Sequence, residues 1–166
     1  MMTERAIITP ISETDIPEIL DMYMEPDSFK YVRPHKDKSK AYYEEFLKGK
    51  INTNTTTLGF WVVRLKDSNE FIGTVNLNQF QNTGITHIGC HLKEAVWNKG
   101  YATELMRALM QYGFDTRKLT AIHGIVEESN QVSAKLMEKL GFEFFEERMD
   151  EEVRLMIYKN GGKVKA

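Results

Sequence analysis

The 166-residue chain contains a single cysteine, Cys90, which excludes an internal disulfide framework and a cysteine-rich zinc site. It has no surplus of one charge: 22 Lys and Arg stand against 24 Asp and Glu, a net charge of −2, so no overall field draws it to nucleic acid. No apolar run is long enough to span a bilayer, and Met1 to Ile8 lacks the hydrophobic core of a signal peptide. Linkers, repeats and low-complexity stretches are missing as well, so 1–166 reads as one domain. These absences lead to an expectation of a cytoplasmic protein with no membrane or nucleic-acid partner and no bound metal.

Hydrophobic residues make up 42% of the chain and charged residues 28%, the balance of a globular domain able to bury a core and still hold a cavity. Punctuation and periodicity give a mixed α/β order. A short strand over 7–11 precedes a helix capped by Thr14 or Asp15, with Pro17 in its first turn. Residues 24–37 read as a loop, Ser39 caps a second helix that Gly49 ends, and the polar run 52–57 is a connector. Strands over 59–65 and 71–77 form a hairpin across Lys66-Asp67-Ser68-Asn69. A strand over 86–92 places Ile88, Cys90 and Leu92 on one face and His87, Gly89 and His91 on the other. The clearest helix runs over 100–116, with Ala102, Leu105, Met106, Leu109, Tyr112 and Gly113 on one stripe. A strand over 121–126, a helix over 132–140 stopped by Gly141, and a hairpin of 142–147 with 153–159 complete the order. The tail from Asn160 is expected to fray.

The chemistry concentrates in Trp97-Asn98-Lys99-Gly100-Tyr101-Ala102-Thr103-Glu104, a small-residue turn between a strand and that helix. The first N–H groups of the helix lack internal acceptors and carry the positive end of its dipole. Gly100 and Ala102 keep bulk away, so a phosphate can approach the backbone, and Lys99 adds a cation. By itself such a turn is more often plain punctuation than a phosphate site; it is neither a Walker loop nor GxGxxG.

A second segment, Ser129-Asn130-Gln131-Val132-Ser133 through Lys139-Leu140-Gly141-Phe142, follows the next strand. Together the two resemble the GNAT acetyltransferase superfamily, whose acyl-CoA pyrophosphate loop is (Q/R)-x-x-G-x-(G/A) and whose second element is Asn-x-x-Ser/Ala…Lys-Leu-Gly-Phe. The wording Trp97 to Glu104, with Phe71-Ile72-Gly73-Thr74 and Ile88-Gly89, is similar to the branch containing ribosomal-protein N-terminal acetyltransferases. Trp97 stands where the superfamily has Gln or Arg, and Asn98 where glycine is common. Met137 stands where many members carry a tyrosine that protonates the leaving thiolate, so that acid is excluded here.

The resemblance implies an α+β fold, a mixed central sheet of six or seven strands flanked by about four helices. It implies acetyl-CoA as cosubstrate, held by Leu92, Asn98, Lys99, Gly100, Tyr101, Ala102, Thr103, Asn130 and Ser133. The thioester would lie at a splay between the strands over 86–92 and 121–126, with backbone N–H groups near His91 and Leu92 stabilising the oxyanion. Ser133 is the candidate acid; its alternative is to bond coenzyme A or cap the helix. His91 is the candidate base, ahead of His87, Glu127 and Glu128, with a base acting through water as an equal alternative. Asn130 suits both a pantetheine amide and a helix cap.

The implied acceptor is a primary amine: a protein N-terminus, or a polyamine or other small molecule. Its cleft would be walled by the first two helices and the loop Glu25 to His35. The acidic stretch 143–152 reads as a solvated hairpin, with attraction for a basic substrate as its alternative. A non-catalytic acyl-CoA-binding module is the rival from another class, and a nucleotide-binding α/β protein a more distant one. Either a monomer or a homodimer fits.

Overall fold

Alternating apolar residues set up the strands, and the pattern is met throughout the computed structural model, which describes residues 1–53, 59–80 and 83–162. In chain order these are β1 (Ala6–Pro10), α1 (Ile16–Tyr23), α2 (Lys40–Thr53), β2 (Gly59–Leu65) and β3 (Phe71–Phe80). Then come β4 (Ile85–Leu92), α3 (Tyr101–Gln111), β5 (Ile122–Glu127), α4 (Gln131–Lys139), β6 (Glu143–Asp150) and β7 (Val153–Asn160). The seven strands form one sheet in the order β1-β2-β3-β4-β5-β7-β6. Every neighbouring pair is antiparallel except β4 and β5, which run parallel.

Each face of the sheet has its own core. Ile88, Leu92, Ile122 and Val126 pack with Leu105, Met106 and Leu109 of α3 and Met137 of α4. Phe60, Val62 and Phe71 pack with Ile19, Leu20 and Tyr23 of α1 and Tyr43 and Leu47 of α2. The two helix pairs thus cover opposite faces and leave the β4–β5 seam accessible between them.

Three expectations need correction. Gly49 does not end α2, which continues to Thr53, because an open site beside Gly49 imposes no turn; the connector over 52–57 therefore overlaps that helix, and its remainder lies outside the described residues. The long helix is not α throughout: it becomes a π turn over Tyr112–Thr116, where Arg117 N donates to the Tyr112 carbonyl at 3.0 Å. Asn160 is not frayed but buried in β7, donating to the Gly141 carbonyl at 3.0 Å. Beyond it, 163–166 lie outside the described residues. No described helix is long and apolar enough to cross a membrane.

Candidate active site

The pyrophosphate-type turn has the predicted shape. Gly100 is the N-cap of α3 at φ 82°, and Asn98 sits at φ 59°, a left-handed conformation that asparagine tolerates better than most residues. A Cβ on Gly100 would meet nothing closer than an Arg5 nitrogen at 3.5 Å, so the notch is open. The first intrahelical bond runs from Glu104 N to the Gly100 carbonyl at 3.2 Å, which leaves the Tyr101, Ala102 and Thr103 amides without helical acceptors. Those amides, at the dipole's positive end, fit a diphosphate. The Lys99 ammonium bonds back to the Ala95 carbonyl at 2.8 Å.

Sequence reasoning missed what holds this turn. Arg5 donates from its backbone N and its Nε to Glu104, at 2.9 and 2.7 Å, and from Nη1 to the Lys99 carbonyl at 3.0 Å. Its guanidinium lies 4.0 Å from the centre of the Tyr101 ring. Burial works against the Glu104 carboxylate, but hydrogen bonds from Thr3 and Arg5 outweigh it and hold its pKa below the usual value. Trp97 contributes from the other side, its indole N–H donating to the Leu92 carbonyl at 2.8 Å. No local pattern announces contacts of this sequence range.

The expected splay is present. β4 and β5 share one register pair, His87 with His123, and pair no further. β4 is continuously paired to β3 from Ile85 to Leu92 on its other side. Lys93 N donates to the Ile72 carbonyl at 2.9 Å, so by the alternation of an antiparallel ladder the odd-numbered amides of β4 turn toward β3. The His123 ring nitrogen meeting the Thr86 carbonyl at 3.3 Å agrees, since even-numbered groups then face β5. This corrects the oxyanion assignment: the His91 amide is turned into the sheet, and Cys90 and Leu92 present N–H groups to the opening. Gly89 matters here because a Cβ would strike Asn76 Oδ1 at 2.3 Å.

Two cavities flank this backbone. One of about 780 Å³ follows the outer side of α3 and includes Gly100, Thr103, Arg107 and Lys139. The other, about 430 Å³, straddles the splay and brings together His91, Glu127, Asn130 and Ser133. The candidate base His91 and the candidate acid Ser133 both line the second, which also holds the open edges of β4 and β5.

Within that cleft Asn130 caps α4, its side-chain oxygen accepting from Ser133 N at 3.1 Å, so the capping role expected for it is met. Ser133 lines the cleft one turn into α4. Met137 is buried (4% exposed), with its sulfur over Gly124, where a Cβ would come within 2.2 Å of it. Burial pushes the Cys90 thiol up to about 12, which makes it inert as a nucleophile.

His91 packs against the rings of both Tyr23 and Phe29, at 5.2 and 4.9 Å, which also touch each other at 4.7 Å. Its Nε2 is 2.8 Å from Ser28 Oγ, whose hydroxyl donates to the Met22 carbonyl at 2.9 Å. Ser28 has one proton, so Nε2 is the donor and Nδ1 keeps the lone pair. Burial first, and then the charge of His35, pulls His91 down to about 4. The imidazole is therefore neutral at pH 7 but too weakly basic to take a proton readily from an ammonium. His87, bonded to the Asn78 carbonyl at 3.1 Å, is pulled to about 4 by burial in the same way.

Glu128 pairs with Arg154 at 3.3 Å at the exposed end of β7. Glu127, the last residue of β5, lines the cleft. Glu127 has the same parity as His123, which pairs with His87, so it lies on the same face of the sheet as His91. Parity along β5 is the sequence signal that separates the two glutamates.

Comparisons with known proteins agree with this geometry. A family model described as "Acetyltransferase (GNAT) domain" matches residues 5–143. The uncharacterized N-acetyltransferase p20 of Bacillus licheniformis is 29% identical over 146 residues, covering 86% of this chain and 82% of that protein. A GNAT-family acetyltransferase from Bacillus anthracis superposes with a TM-score of 0.85 at 21% identity, over 98% of both chains. The ribosomal α-N-protein acetyltransferase RimL, in complex with coenzyme A, gives 0.82 at 14% identity over 96% of both.

Proposed function

Because this chain belongs to the GNAT acetyltransferase family, we propose that it moves an acetyl group from acetyl-CoA to a protein N-terminal α-amine, by direct attack in a ternary complex, in the manner of the ribosomal-protein branch. The observation that carries the reading is the splay itself: outward Cys90 and Leu92 amides beside a cleft, one strand before the open N-terminus of α3. The turn around Gly100 takes the diphosphate, the amino group of Asn130 meets a pantetheine carbonyl, and the two β4 amides face the oxyanion.

The choice of acceptor follows from basicity. An α-ammonium has a pKa of about 7.7–8.0 against about 10.4 for a lysine or similar alkyl amine. With His91 held near 4, the cleft offers no strong imidazole base, which favours an amine already partly neutral at physiological pH. His91 is then a wall and a hydrogen-bond acceptor for the amine, and Ser133 stabilises or protonates the departing thiolate. Calorimetry with coenzyme A and thiol release with peptides bearing free or blocked N-termini test the reading. Heat of binding with release only from free N-termini is the expected result. Binding without turnover on any amine would instead establish an acyl-CoA-binding module.

A further inference from the structure

Given the acetyl-transfer reading, the tautomer of one imidazole decides what the acceptor amine meets, and the end of α1 sets that tautomer. Carbonyls in the last turn of a helix have no N–H partner within it. For Met22 the residue four positions on is Pro26, which has no N–H to offer. Glu25 N and the Ser28 hydroxyl donate to the Met22 carbonyl instead, at 3.2 and 2.9 Å, the chain folding back through Asp27 at φ 60°.

A carbonyl can only accept, so the single hydroxyl proton of Ser28 is committed, and its oxygen is left to accept from His91 Nε2, 2.8 Å away. The same loop is tied just beyond β4, where Glu25 Oε2 accepts from Glu94 N at 3.3 Å. Tyr23 and Phe29, next to Met22 and Ser28 in the chain, pack on the imidazole at 5.2 and 4.9 Å. Nδ1, with its lone pair, is then the polar atom that this ring, lining the cleft, keeps for a ligand. Burial, and then the charge of His35, holds the ring neutral at pH 7, so its tautomer determines what it presents.

We infer that Ser28 is a positioning residue: it holds His91 in the Nε2–H tautomer, and the Nδ1 lone pair receives an N–H of the acceptor amine, aiming the amine's own lone pair at the thioester. The opposite tautomer would do the reverse, donating from Nδ1 to the lone pair that has to attack. Solvent takes one proton from the ammonium. The neutral nitrogen then forms the C–N bond while the carbonyl π pair moves to oxygen, facing the Cys90 and Leu92 amides. Collapse breaks the C–S bond, the sulfur keeps that pair, and the extra nitrogen proton ends on the thiolate. His91 keeps its hydrogen bond without taking a proton, because its pKa lies far below that of the ammonium. Such a contact acts on the attack and leaves coenzyme binding alone.

The test uses the full chain, ¹⁵N-labelled, and a set of tripeptides with free N-termini. Long-range ¹H–¹⁵N spectra, with His91 assigned by its loss in His91→Phe, should show Nε2 protonated and Nδ1 bare in the wild type. Ser28→Ala should give a mixture of tautomers, and Ser28→Thr the wild-type state again. Ser28→Ala should also lower kcat by about tenfold, the worth of one hydrogen bond, with coenzyme A affinity unchanged and Ser28→Thr recovering most of the loss. In a His91→Phe background the same change should lower kcat no further. A wild-type ring protonated at Nδ1, a Ser28→Ala kcat equal to wild type, or an equal loss in the His91→Phe background overturns the inference while acetyl transfer stands. A chain that turns over none of the tripeptides overturns both.

Discussion

Arg5 and Glu104, ninety-nine residues apart in sequence, meet through two hydrogen bonds at 2.9 and 2.7 Å, and the same guanidinium reaches the Lys99 carbonyl at 3.0 Å. The start of β1 is thereby tied to both sides of the turn that opens α3. Charge-assisted, multidentate bonds of this kind fix geometry as well as contributing energy.

Breaking the tie should loosen the coenzyme site without touching the chemistry. Arg5→Ala is expected to weaken coenzyme A binding by about tenfold, equivalent to roughly 1.4 kcal/mol, while kcat at saturating acetyl-CoA stays near wild type. Isothermal calorimetry beside steady-state kinetics checks it; unchanged affinity refutes the role given to Arg5.

Gly100→Val tests the turn from within. At φ 82° a β-branched side chain costs about 1–2 kcal/mol in backbone strain, and its methyls fill the notch before the Tyr101–Thr103 amides. Thermal unfolding should therefore shift modestly while coenzyme A binding falls below detection. A variant that binds normally would show that the diphosphate sits elsewhere.

Asn130 performs a cap that aspartate also performs, so the cap can be separated from the ligand contact. Asn130→Ala should lose about 1 kcal/mol of stability together with coenzyme affinity. Asn130→Asp keeps the oxygen that accepts from Ser133 N but removes the amino donor, and should retain stability while still binding coenzyme A poorly. Urea unfolding and calorimetry on both variants supply the comparison. Ser133→Ala complements them: a fall in kcat with unchanged coenzyme affinity is expected of a group acting on the thiolate.

The half-buried histidines of β4 make an acid-side prediction. His87 and His91 each fall from an ordinary 6.5 to about 4 through burial. Between those pH values the unfolded chain binds protons that the folded chain refuses, so stability declines as pH drops from about 6.5 toward 4 and is steady above 6.5. The loss is of order 3 kcal/mol for each ring. Burial lowers the pKa of His35 and His123 as well, so urea midpoints at pH 7.5, 6 and 5 should fall accordingly, and His91→Phe should remove only its own share of the slope.

Periodicity and punctuation by themselves determined the strands, the inward stripe of α3, and the turn at Gly100, because those depend on neighbours a few residues apart. The small residues Gly100 and Ala102 and the caps Ser39 and Asn130 act within their own turns, so they could be read before any fold existed. Gly49 was misread for the complementary reason: a glycine ends a helix only where the surroundings require a turn, and α2 passes through it in open space. Tertiary structure decided the rest. Which β4 amides face the splay depends on pairing with β3, the basicity of His91 depends on the rings packed around it, and Arg5 finds Glu104 only once β1 lies beside α3. Those are consequences of desolvation and long-range pairing, which no window of sequence contains.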